Sequence, residues 1–146
     1  MTRILFVCTG NTCRSALAEG LARARLGPEK GVTFESAGLY ALDGAPATPH
    51  ALAAAAEVGV ELGAHRARSV TAEMVEGADR IYAMTRAQAE ALARLGPGVA
   101  KRVTLLDPSG EEISDPYGAD LGTYRLVRGR IRAAVEARLE YWRAEE

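Results

Sequence analysis

The stretch that decides the fold is residues 3–26, RILFVCTGNTCRSALAEGLARARL. Its first five residues, Arg3–Val7, form a short apolar, β-prone run with no room for a helix. Such a run reads as a strand buried on both faces. Residues 15–26 carry Ala and Leu at helical spacing and stop at Gly27-Pro28, so they read as a helix. Between them lie eight residues, Cys8-Thr9-Gly10-Asn11-Thr12-Cys13-Arg14-Ser15. A strand, a tight loop and a helix in that order begin an α/β unit.

The rest of the chain repeats the alternation. Strands are expected at Val32–Ser36, Arg80–Met84 and Arg102–Leu106. Helices are expected at Pro49–Val58 with Thr48 as N-cap, Thr71–Glu76, Arg86–Leu95 and Leu121–Arg143. This order implies a parallel sheet with helices on both faces, joined by right-handed crossovers. Ligands of such sheets sit at the carboxyl ends of the strands, where the strand order reverses. The first strand ends at Val7, so a functional site is expected from residue 8 onward.

The 146 residues suit one domain, spanning 1–146, with no repeat or linker-like segment. Hydrophobic residues at 48% and charged residues at 25% are ordinary globular values. A net charge of −1 gives no reason to expect nucleic acid or an anionic membrane as partner. No window approaches the ~18 apolar residues of a membrane span, and the apolar run at residues 4–7 is too short for a signal peptide. These features predict a cytoplasmic protein. Cys8 and Cys13, the only two cysteines, make no secreted disulfide framework and are expected as thiols.

The 8–15 loop offers specific chemistry. A tight turn into a helix N-terminus aims several backbone N–H groups into one concavity, and the helix dipole favours an anion there. Gly10 removes bulk and Asn11 tolerates left-handed backbone angles. Arg14 can fork two hydrogen bonds onto a tetrahedral oxyanion. Cys8 opens the loop, where the helix terminus and Arg14 both favour the thiolate. Ser15 can donate a hydrogen bond to that thiolate. An anion cradle around a sulfur nucleophile is machinery for attack on phosphorus. The plainer alternative is a small buried cysteine beside a helix-capping loop. A Walker loop is absent, and no metal is expected, because His50 and His65 have no ligand-like spacing to the cysteines.

A thiolate that expels a leaving group near neutral pH needs a proton donor. Asp115, in Asp115-Pro116-Tyr117-Gly118, is the best placed carboxyl, since Pro116 stiffens its backbone. The same four residues also read as an ordinary turn, and the residues alone leave the two readings level.

Cys8 through Ser15 together with Asp115-Pro116-Tyr117-Gly118 resemble the low-molecular-weight protein tyrosine phosphatase family, over nearly the whole chain. The resemblance implies a three-layer α/β/α fold with a four-stranded parallel sheet and the phosphate-binding loop after the first strand. It implies catalysis without metal or cofactor through a phosphocysteine on Cys8. Thr9, Gly10, Asn11, Thr12, Cys13, Arg14 and Ser15 would bind phosphate. Asp115 would act as acid and then base, and Ser15 would assist thiolate departure. Asn11, Ser36 and His65 would support the loop, although His65 by itself reads as a surface or capping histidine. Tyr40, Leu42, Tyr117 and Thr12 would form the substrate wall.

Substrate class is finer. Thr12 stands where tyrosine-specific members usually carry a bulky aliphatic residue, and Tyr40–Gly44 contains no Trp. These features, with Ser36-Ala37-Gly38, Ala47-Thr48-Pro49-His50-Ala51 and Ala83-Met84-Thr85, look more like the bacterial protein-arginine phosphatase branch. A phenyl ring favours flat aromatic walls, whereas a guanidinium needs acceptors, which Thr12 and Asp115 can supply. Phosphoarginine is therefore the expected substrate and phosphotyrosine the alternative. Arsenate reduction is disfavoured because no cysteine follows Cys13. A non-catalytic phosphoprotein-binding module is disfavoured because Cys8 and Asp115 are both present. The expected partners are phosphorylated proteins, with inorganic phosphate as product and inhibitor and the enzyme a monomer. A reversible Cys8–Cys13 disulfide is expected on oxidation.

Overall fold

The computed structural model describes residues 1–144. Four parallel strands form the sheet: β1 (Thr2–Cys8), β2 (Val32–Gly38), β3 (Arg80–Ala83) and β4 (Val103–Leu105), in the order β2-β1-β3-β4. The chain leaves β1 toward one edge and returns past it to build the other. β1 therefore sits at the point where strand order reverses, and its carboxyl end opens between two neighbours.

Five α-helices cover the sheet: α1 (Arg14–Arg23), α2 (Pro49–Ala56), α3 (Ala72–Gly77), α4 (Arg86–Ala93) and α5 (Leu121–Ala144). The side chains of β1 alternate between two cores. Ile4, Phe6 and Cys8 face the larger core with α1, α2 and α5, whereas Leu5 and Val7 face a smaller one with Val75 of α3 and Leu92 of α4. Burial on both faces is why the strand is continuously apolar rather than alternating. An aromatic cluster of Phe6, Phe34, Tyr82 and Trp142 closes the larger core. Trp142 is wholly buried there, and its indole N–H donates to the Tyr82 hydroxyl at 3.0 Å.

The expected elements are all present, with shifted ends. α1 stops at Arg23, three residues short of Leu26. Beyond Arg23 both Arg25 N and Leu26 N turn onto the carbonyl of Ala22, so the last turn tightens and the chain enters the 3-10 turn at Pro28–Lys30. β2 runs two residues past Ser36, because Ala37 and Gly38 pair with Val7 and Cys8. That extension brings the end of β2 against the loop that follows β1.

Candidate active site

Capping distinguishes α1 from the helices around it. α2, α3 and α4 each start at a threonine whose hydroxyl accepts a first-turn backbone N–H: Thr48, Thr71 and Thr85. The N-cap of α1 is Cys13, with no side-chain hydrogen bond. The first-turn amides of α1 are thus left for an external acceptor, and the positive end of its dipole faces the same concavity.

Cys8 ends β1 beneath that concavity. Its Sγ lies 2.9 Å from Ser15 Oγ, and both residues are buried. Asn11 holds the turn with φ of 57°, alone among the non-glycine described residues in having positive φ. Its amide nitrogen donates to Ser15 Oγ at 2.8 Å and to Ser36 Oγ at 2.9 Å, while its amide oxygen accepts from Arg68 N at 3.1 Å. His65 Nε2 lies 2.6 Å from the Asn11 carbonyl oxygen. The expected supporting set, Asn11, Ser15, Ser36 and His65, is therefore one connected network. His65 is part of it rather than a surface histidine.

Arg14 is 3% exposed. One terminal nitrogen donates to the Ile113 carbonyl at 2.9 Å, and the other lies 3.6 Å from Asp115 Oδ2. Its Nε is buried without a protein partner. A buried N–H without an acceptor carries a desolvation cost that an oxyanion in the cradle would relieve. Asp115 is half-exposed, with Oδ1 accepting from Tyr117 N at 3.0 Å. Ile113 N donates to the Met84 carbonyl at the end of β3, which fixes the Asp115 loop to the sheet.

The glycine reading needs correction. A Cβ on Gly10 would meet only Thr12 Oγ1, at an ordinary 3.6 Å. The tight position is Gly38, where a Cβ would lie 2.7 Å from the Thr9 carbonyl oxygen and 3.0 Å from Asn11 N. The cradle is thus shaped from outside by the bare backbone at the end of β2.

Tyr40 and Leu42 are exposed on the loop after β2, and Tyr117 is exposed beside Asp115. Tyr40 N donates to the Thr9 carbonyl at 2.9 Å, tying that loop to the cradle. Thr12 is half-buried, with its hydroxyl on the Gly10 side. Cys13 Sγ lies 3.4 Å from the Tyr124 hydroxyl and 3.5 Å from Thr48 Oγ1, and both cysteines are free thiols. Burial pushes the Tyr124 hydroxyl up to about 12, with Cys13 adding to the shift, so it remains a hydrogen-bond donor. Among the described residues no group of three or more His, Cys, Asp or Glu is placed to hold a metal ion, and no helix is long and apolar enough to cross a membrane.

Sequence reasoning missed Tyr124 and Gln88. Gln88 is buried, donates to Thr9 Oγ1 at 3.1 Å and accepts from Met84 N and Thr85 N. Its spacing from Thr85 fits a capping box, which the structure contains. That signal finds the cap but not the link to the cradle.

Residues 3–145 match the family model described as low molecular weight phosphotyrosine protein phosphatase. The chain belongs to this family. It is 34% identical to a protein-arginine-phosphatase of Geobacillus stearothermophilus over 148 residues, covering 99% of this chain and 98% of that one. It is 38% identical to the low molecular weight protein-tyrosine-phosphatase Etp of Escherichia coli K12 over 133 residues, covering 90% and 88%. The solved structure of the YwlE arginine phosphatase from Geobacillus stearothermophilus superposes with a TM-score of 0.92 at 32% identity, covering 99% of this chain and 95% of that one.

Proposed function

We propose that the chain is a protein phosphatase using Cys8 as nucleophile, with phosphoarginine as its preferred substrate. The observation that carries the reading is the Cys8 thiol, held by Ser15 at the mouth of an uncapped helix, beside a buried Arg14 whose Nε lacks a partner. In the first step the Cys8 thiolate attacks phosphorus, the bond from phosphorus to the substrate nitrogen breaks, and Asp115 gives that nitrogen its proton. In the second, Asp115 takes a proton from water, the water oxygen attacks phosphorus, and the sulfur–phosphorus bond breaks. Inorganic phosphate leaves, and Ser15 donates to the returning thiolate. Arg14 and the loop amides of residues 9–15 bind the three phosphate oxygens throughout, where charge develops.

Phosphoarginine is supported by Thr12, by the arginine phosphatase relative at 34% identity, and by the composition of the Tyr40–Gly44 loop. The one tryptophan is buried in the core instead of walling the site. Phosphotyrosine is the second reading, favoured by the exposed Tyr40 and Tyr117 at the cradle and by the Etp relative. We read the enzyme as a cytoplasmic monomer acting on phosphorylated proteins, inhibited by its phosphate product and by a Cys8–Cys13 disulfide. The deciding experiment compares kcat/KM on matched phosphoarginine and phosphotyrosine peptides. A clear preference for phosphoarginine is expected, and a preference for phosphotyrosine would replace the reading with its alternative.

A further inference from the structure

Two groups that the mechanism leaves out lie behind the cradle. Glu19 of α1 is 16% exposed, and its Oε1 accepts from the Ser36 hydroxyl at 2.5 Å. Its other oxygen pairs with Arg23 at 2.8 Å. The carboxylate lines a cavity of about 580 Å³ that also reaches Ser36 and His65.

The contacts can be followed as a chain of donors. A carboxylate only accepts, so the Ser36 proton points to Glu19. The Ser36 oxygen is then left to accept from the Asn11 amide nitrogen, at 2.9 Å. The second hydrogen of that nitrogen goes to Ser15 Oγ at 2.8 Å, and the Ser15 proton is left for Cys8 Sγ at 2.9 Å. Every link has one direction, fixed at the Ser36 end by Glu19 and at the Asn11 amide by the Arg68 N–H on its oxygen. If Glu19 is removed, the Ser36 hydroxyl is free to donate elsewhere. A turned Asn11 amide then becomes a competing arrangement, opposed only by the Arg68 N–H on its oxygen. In that arrangement Ser15 loses its donor from Asn11 and has less reason to aim its proton at sulfur.

The geometry points to Glu19 as a positioning residue for the reaction, acting on Cys8 through Ser36, Asn11 and Ser15. The inference rests on Cys8 being the attacking group. Glu19→Ala is expected to lower kcat on p-nitrophenyl phosphate about five- to tenfold, the scale of one or two hydrogen bonds, with KM changed less than twofold. It should slow alkylation of Cys8 by iodoacetamide at fixed pH in parallel. Glu19→Gln keeps an acceptor for Ser36 and should recover kcat to within about twofold. Arg23→Ala removes the ion pair and a hydrogen bond to the Phe34 carbonyl but keeps the Ser36–Glu19 contact, and should leave kcat unchanged.

The decisive comparison is made in a Ser36→Ala background, where Glu19→Ala should cost nothing further. Equal losses with and without Ser36, or a Glu19→Gln variant as slow as Glu19→Ala, would overturn the inference. Thermal melts identify any variant that fails to fold, and Glu19→Gln then carries the test. A Cys8→Ser control separates the two readings. If it is inactive while Glu19→Ala is fully active, the positioning role alone fails. If Cys8→Ser turns over, the proposed function fails with it.

Discussion

Replacing Gly38 by alanine adds a single methyl group, yet the structure gives it nowhere to go. The new Cβ would lie 2.7 Å from the Thr9 carbonyl oxygen and 3.0 Å from both Asn11 N and Gly10 C. Ordinary contact begins near 3.4 Å, so the methyl and the loop must separate by about 0.7 Å. All three atoms are backbone, so no rotamer change relieves the clash. β2 is held on its side by Gly38 N donating to the Arg68 carbonyl and by Val70 N donating to the Gly38 carbonyl. The displacement therefore falls largely on the cradle. Overpacking of this kind costs about 1–3 kcal/mol, or a Tm lower by roughly 3–10 °C in a chain of this size. Misplacement of reacting groups by ~1 Å can cost about a hundredfold in rate. Gly38→Ala is expected to lower kcat by at least tenfold at a temperature where circular dichroism shows it folded. Wild-type kcat together with wild-type Tm would refute the reasoning, because the methyl would then have found room that the structure denies it.

Other expectations follow from the same contacts. Cys8→Ser should abolish turnover with the fold intact, and Asp115→Ala should slow it by about 10²–10⁴, both measured with p-nitrophenyl phosphate. Thr12→Ile should lower kcat/KM for phosphoarginine peptides at least about tenfold, as acceptors are lost to hydrocarbon, while phosphotyrosine peptides hold or gain. Equal change on both substrates would remove Thr12 as the selector. Peroxide should inactivate the enzyme reversibly, with dithiothreitol restoring it and mass spectrometry showing one intramolecular disulfide. For that bond Cys13 Sγ must leave Tyr124 and Thr48, so Tyr124→Phe should speed its formation. Glu57 is held down to about 2 by hydrogen bonds from Arg125 and Arg128. A depressed carboxyl stabilises the fold above its unfolded value of 4.5 and loses that contribution as pH falls toward 2. Glu57→Gln should therefore narrow its Tm gap from wild type across that window, and high salt should narrow it at neutral pH.

Much of this architecture was readable because β1 and the 8–15 loop are local. Strand, loop and helix follow one another without interruption, and the residue types needed to hold an anion sit within eight positions. Cys8, Asn11, Arg14 and Ser15 could be picked out for the same reason. What stayed hidden depends on contacts across the sheet. Glu19 and Gln88 lie inside helices, where a polar residue reads as solvated surface, and their partners are Ser36 and, 79 positions away, Thr9. Ser36-Ala37-Gly38 has poor strand propensity, and pairing with β1 overrides it. His65 by itself reads as a surface or capping residue, and only the family resemblance puts it with Asn11, because nothing nearby in sequence shows that Asn11 would present a carbonyl to it.

β1 is an inner strand, bonded to β2 along its length and to β3 from Ile4 to Val7. The loop bearing the nucleophile is the direct continuation of that strand, and it is clamped by Ser36 and Gly38 of β2, Thr48 before α2, Gln88 of α4 and Tyr124 of α5. Such a segment has no cheap way to open by itself. The β1 amides bonded to β2 and β3 should exchange with deuterium only when the whole molecule unfolds, in contrast to the exposed loop at residues 40–44. Loss of activity and loss of helix signal in a urea titration should therefore fall on one curve. Turnover then doubles as a gauge of global folding, and a destabilising change away from the cradle and its supports lowers the active fraction without altering the enzyme that remains folded.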